Sequence, residues 1–186
     1  MRRFSFRPAL TLRGRKFKGP RGWAGKPLHP PLTDVPVAAY ILAAAFDVIS
    51  LVGRDEAWAR DFFRAATFVF IGGAIVSVFA ALTGFWDWWK SSEKGTQARR
   101  TINAHASVMI LVTVLALTDI GIRLADYDRT YPSAAVWVLS VLIALLVSVG
   151  AVYGGAMVYE YGFNVETAGD HPVWHQSETD VFHGQR

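Results

Sequence analysis

The chain has 186 residues, 52% of them apolar and 13% aromatic, with a net charge of +4 and no cysteine. The missing cysteines exclude disulfides, thiolate catalysis, iron–sulfur ligation and cysteine zinc sites, so any metal must rely on His, Met or oxygen ligands. About half the residues fall in four long apolar stretches, and what remains is too short for a second core, which below about 40 residues usually needs disulfides or a metal.

Residues 1–26 read as a basic arm. Nine basic residues precede Val35 against the single acid Asp34. An Arg-rich, acid-free start is also the composition of an organellar presequence, but Pro8, Gly14, Gly19, Pro20, Gly22 and Gly25 break any long amphipathic helix. The arm is expected to rest on anionic headgroups, or to dock on a partner through Phe4, Phe6, Phe17 and Trp23.

Residues 27–165 follow as an all-α transmembrane domain, with spans predicted at about 35–52, 62–85, 102–124 and 134–159. Each is long enough for a bilayer core, which takes about 20 apolar residues, and none is interrupted at the spacing that keeps one face of a soluble helix wet. Short connections predict an up-and-down four-helix bundle. The basic excess before the first span, with Lys90, Lys94, Arg99 and Arg100 in the middle loop, predicts that both termini are cytoplasmic. The other two loops hold Arg54, Asp55, Glu56, Arg60 and Asp61, and Asp126, Asp128 and Arg129, with no basic excess. Trp86, Trp88, Trp89, Tyr153, Tyr159 and Tyr161 suit the inner aromatic belt, and Tyr127, Tyr131 and Trp137 the outer one. Residues 166–186 make a short tail, also expected on the cytoplasmic side.

Small residues at four-residue spacing mark close helix approach in lipid. Gly73, Ser77, Ala81 and Gly84 form such a stripe on the second span, Gly150 and Gly154 on the fourth, and Ala39 and Ala43 on the first. They argue packing rather than function.

Ionisable groups inside the spans are costly and face the bundle interior or a partner. On the third span His105, Met109, Val112, Ala116, Asp119 and Arg123 recur at steps of four and three, which sets them on one face. Asp119 and Arg123 are one turn apart and can neutralise each other. Asp47 lies in the outer half of the first span. It is expected to join them in a structural charge cluster that locks helices together, with Arg64 as a further member. No chain of acids runs through the middle, as a proton or ion path would require.

The inner half gathers the histidines. His29 stands in Gly25-Lys26-Pro27-Leu28-His29-Pro30-Pro31, where the prolines predict an extended approach to the membrane edge. His105 lies about one turn into the third span, Asp87 closes the second, and His171, His175 and His183 lie in the tail. Two readings are open for His29 and His105. Each imidazole bonds a carboxylate or carbonyl, or the two together hold haem b or a metal ion, with Asp87 or a tail histidine fixing the ring tautomer. In the tail, Asp170-His171-Pro172-Val173-Trp174-His175 suits a docking peptide better than a metal-binding helix.

The entry Gly25, Pro27, Leu28, His29, Pro30, with Pro36, Asp47, the Gly84 and Asp87 pair, the single early His105 and the glycine-rich fourth span, resembles the bacterial membrane family catalogued as domain of unknown function 2231. The resemblance covers about residues 24–165. It implies a four-helix domain of the bacterial plasma membrane with no established activity. Some members look like fusions to Rieske or cytochrome-type domains, which associates the family with redox settings; this chain has only its short tail in their place.

No phosphate-binding loop, nucleophile elbow or zinc-protease helix is present, so the main hydrolase and NTP-using activities find no support. Nucleic-acid binding is not expected either, because membrane orientation accounts for the basic excess. Two function classes remain. One is an accessory or structural subunit that contacts other membrane subunits of a redox or respiratory assembly through its arm, tail and helix faces. The other is a small b-type haem or metal-binding electron carrier using His29 and His105.

Overall fold

The computed structural model describes residues 19–22 and 27–165; most of the basic arm and the whole tail, with its three histidines, lie outside the described residues. Four helices follow in chain order: α1 (His29–Val52), α2 (Ala59–Ser91), α3 (Gln97–Ala125) and α4 (Ala134–Tyr159). All four are long and apolar enough to cross a membrane. At 1.5 Å per residue the longest, α2, reaches about 50 Å and outruns a hydrocarbon core of about 30 Å.

Helix α1 begins at His29 itself, which corrects the expected extended approach. Pro30 and Pro31 occupy the first turn, where a missing N–H costs nothing because no intrahelical acceptor exists there. The Leu28 N–H bonds the Pro20 carbonyl at 3.2 Å just outside. Helix α2 likewise continues to Ser91, beyond the expected end near Phe85, so Trp86, Asp87, Trp88 and Trp89 belong to its last turns. Thr96 starts α3 by accepting from the Arg99 N–H at 3.1 Å, a standard satisfaction of an orphan donor. Gly95, at φ +82°, makes the turn just before it.

The helices run up and down. α1 packs along α2 and α4, α3 packs along α4, and α2 meets α3 only lightly. Helices α1 and α3 therefore face each other across the bundle diagonal. One end of the bundle, the terminal end, carries the start of α1 and the end of α4; the far end carries the connections 53–58 and 126–133.

The centre is filled by Tyr40 and Ala43 of α1, Ala66 and Phe70 of α2, Val112 and Ala116 of α3, and Ile143 and Val147 of α4. Close approach of α1 and α2 rests on Gly73, where an added Cβ would sit 2.5 Å from the Ala39 Cβ. The outer surface is as apolar as the core: Phe68, Ile75, Leu82, Ile110, Leu117, Leu145 and Val152 are all more than half exposed. So continuous an apolar belt suits lipid and would be a severe aggregation liability in water.

Candidate functional site

Two polar groups bridge the diagonal that the helix backbones leave open, one at each end. At the terminal end, His29 of α1 and His105 of α3 approach with ring centroids 6.4 Å apart and planes at 88°. The His29 Nδ1 lies 2.8 Å from the carbonyl oxygen of Ala80 on α2, and the His105 Nδ1 lies 2.9 Å from that of Gly150 on α4. A carbonyl only accepts, so each Nδ1 carries the proton and each Nε2 presents its lone pair. Among the described residues neither Nε2 has a hydrogen-bond partner.

The two histidines are seated alike. Four residues beyond Ala80, Gly84 lies against the His29 ring, and an added Cβ would come within 2.6 Å of its Cε1. Four residues beyond Gly150, Gly154 faces His105, with the corresponding distance 3.8 Å. Each imidazole thus docks on a carbonyl and a glycine one turn apart on the next helix. Helices α1 and α2 repeat the arrangement of α3 and α4.

Asp87 lies one turn beyond Gly84 and is buried, with its Oδ1 unpartnered. It bonds neither histidine; backbone carbonyls, not a carboxylate, fix both tautomers. Nearby, Arg99 stacks on the Trp88 ring at 3.9 Å and donates to the Trp88 carbonyl at 2.7 Å, while the Trp88 indole donates to Asn103 Oδ1 at 2.8 Å. These contacts fasten the end of α2 to the start of α3.

Toward the far end, the second bridge joins Asp47, Asp119 and Arg123, all fully buried. Arg123 Nε donates to Asp119 Oδ2 at 2.7 Å. Its Nη1 donates to Asp47 Oδ1 at 3.1 Å and its Nη2 to Asp47 Oδ2. The Phe70 ring lies 4.9 Å from the guanidinium carbon. Asp47 and Arg123 each stand 18 residues after the histidine of their own helix, about 27 Å along the axis. Arg64, expected among them, instead turns to Asp128 at 3.8 Å and to the Tyr127 ring at 5.0 Å. Ser50, which the sequence reading passed over, ties the end of α1 to α2 by donating to the Ala59 carbonyl at 2.7 Å.

Of the small residues, Ser77 lies at the edge of hydrogen-bond reach of the Tyr40 hydroxyl, at 3.5 Å. Gly150 abuts the Met109 sulfur, which an added Cβ would approach to 2.6 Å.

These features define a membrane-embedded helical protein with four candidate spans and polar bridges across its interior. The chain belongs to the predicted membrane protein family catalogued as domain of unknown function 2231, which it matches over residues 25–167. No curated protein and no solved structure matches it.

Proposed function

We propose that the protein is a membrane electron carrier holding one b-type haem between His29 and His105. The observation that carries this reading is the paired imidazole geometry. Two imidazoles that held one metal through Nε2 at about 2 Å each would have ring centres up to roughly 6–6.5 Å apart. The rings stand 6.4 Å apart. Both donate Nδ1–H to a backbone carbonyl, as metal-ligating histidines do, which raises the basicity of Nε2 and holds the ring in place.

A bare ion fits less well, because the described residues contain no group of three or more His, Cys, Asp or Glu able to hold one. A haem brings four nitrogens of its own and would ask the chain only for the His29 and His105 imidazoles. Bound there, haem would supply one-electron chemistry. The chain's own residues would hold the iron, exclude water through the surrounding apolar helices, and keep both imidazoles neutral.

In this reading the protein sits in the bacterial plasma membrane with both termini cytoplasmic, supported by the basic excess before α1 and around Lys90 to Arg100. It exchanges electrons with other membrane subunits contacted through its arm, tail and helix faces. The test is an optical spectrum of protein purified from haem-replete cells. One haem per chain is expected, with a Soret band and sharp visible bands on dithionite reduction, absent from His29→Ala and His105→Ala preparations that keep their helical circular dichroism. Colourless protein that also fails to take up added haemin would refute the carrier. It would favour the accessory subunit, in which the same Nδ1 bonds simply tie α1 to α2 and α3 to α4.

A further inference from the structure

The buried bridge at the far end has unequal charges: two carboxylates face one guanidinium. Arg123 gives both terminal nitrogens to Asp47 as a two-point fork, the arrangement in which one cation and one carboxylate neutralise each other best. Asp119 receives only the Nε–H, on Oδ2. Its Oδ1 is buried with no hydrogen-bond partner. If all three groups were ionised, one uncompensated negative charge would remain on a fully buried side chain within a candidate span. Buried ions are tolerated only when paired.

We propose that Asp119 is a proton-binding site, with a single proton on its carboxyl group that makes the Asp47–Arg123–Asp119 triad neutral. A metal cation would need several oxygen ligands, and no third carboxylate or histidine joins the cluster among the described residues. A proton needs only the one oxygen left over. The groups around it fit this assignment. Helix α1 contributes Asp47, already committed to Arg123. Helix α2 contributes the uncharged Phe70 ring, while its Arg64 turns to Asp128. Helix α4 contributes the uncharged Ser140 hydroxyl, which donates to the Trp137 carbonyl at 3.1 Å. None of these supplies a second positive charge. Protonated, Asp119 still accepts from Arg123 through Oδ2, so every hydrogen bond seen persists in the neutral triad. The assignment does not depend on what His29 and His105 hold.

The experiment is infrared difference spectroscopy of the wild-type protein against Asp119→Asn in lipid nanodiscs at neutral pH, repeated in D2O. The expected difference is a deuterium-sensitive carboxylic-acid carbonyl band present in the wild type and lost in Asp119→Asn. Loss of ionised carboxylate bands instead would overturn the proposal. Melting gives a second readout: because an amide mimics a neutral acid, Asp119→Asn should melt with the wild type, and a large drop would count against the proton. In Asp47→Asn, Asp119 becomes the only counter-ion for Arg123 and should ionise, so the acid band should vanish there too. Its persistence in that variant would also overturn the assignment.

Discussion

Replacing Gly84 by alanine tests how tightly His29 is seated. The added Cβ would lie 2.6 Å from Cε1 and 2.9 Å from Nδ1, against at least 3.4 Å for ordinary contact. A free side chain would swing aside at little cost, but this ring is tethered to the Ala80 carbonyl at 2.8 Å. Retreating by about 0.8 Å from α2 stretches that bond to about 3.6 Å, beyond useful hydrogen bonding. Overpacking costs about 1–3 kcal/mol and the lost bond about 1 kcal/mol, offset by up to about 1 kcal/mol of better helix propensity. The net loss is about 1–3 kcal/mol, a fall in Tm of roughly 3–10 °C for a chain of this size. Two controls carry the same helix change without the clash. At Gly154 the new Cβ meets His105 only at 3.8 Å, and at Gly72 it meets nothing within 4 Å. Melting in detergent, followed by circular dichroism, should show Gly84→Ala below the wild type and both controls at or above it. If Gly84→Ala melted with Gly72→Ala, the ring would not be tethered as described.

The buried ion pair predicts a non-additive cycle. Arg123→Met should destabilise by about 3–5 kcal/mol, because it leaves Asp47 buried without a cation, whereas Asp47→Leu should cost less, because Asp119 still faces Arg123 at 2.7 Å. The double variant should be more stable than Arg123→Met alone, and additive losses in denaturant titrations would mean that the two groups are independently solvated. Orientation is open to cysteine labelling, since the chain has no native thiol. In intact cells an impermeant reagent should reach Ala57→Cys but not Ser5→Cys or Ser177→Cys; the reverse pattern would invert the bundle.

Periodicity made much of this legible. The steps from His105 to Arg123 mark one face of a helix whatever surrounds it, and Val112, Ala116, Asp119 and Arg123 are all buried. Asp47 announced itself because an acid inside an apolar span must find a partner. The helix ends were less readable: Pro30 and Pro31 look like breakers unless they fall in a first turn, and their place is fixed only by where α1 starts. The carbonyls of Ala80 and Gly150 were illegible, because every residue carries a carbonyl and only the packing of α1 on α2 and α3 on α4 selects these two. The diagonal relation of α1 and α3 depends likewise on three-dimensional arrangement. The side chains that span it, imidazole and guanidinium, could be recognised only as reaching for something.

The unequal sharing of charge between α1 and α3 bears on how the protein is assembled. Helix α3 carries Asp119 and Arg123 one turn apart, so it brings its own counter-ion into the bilayer and lightens a cost of about 3 kcal/mol per charged residue at mid-membrane. Helix α1 is made earlier and holds Asp47 with no basic residue in its last turn. Until α3 arrives, the nascent α1–α2 hairpin therefore lacks the Arg123 fork that neutralises Asp47 in the finished chain. The finished chain buries Asp47 under Arg123. The carboxylate that ties the diagonal together thus finds its fork only once α3 is in place.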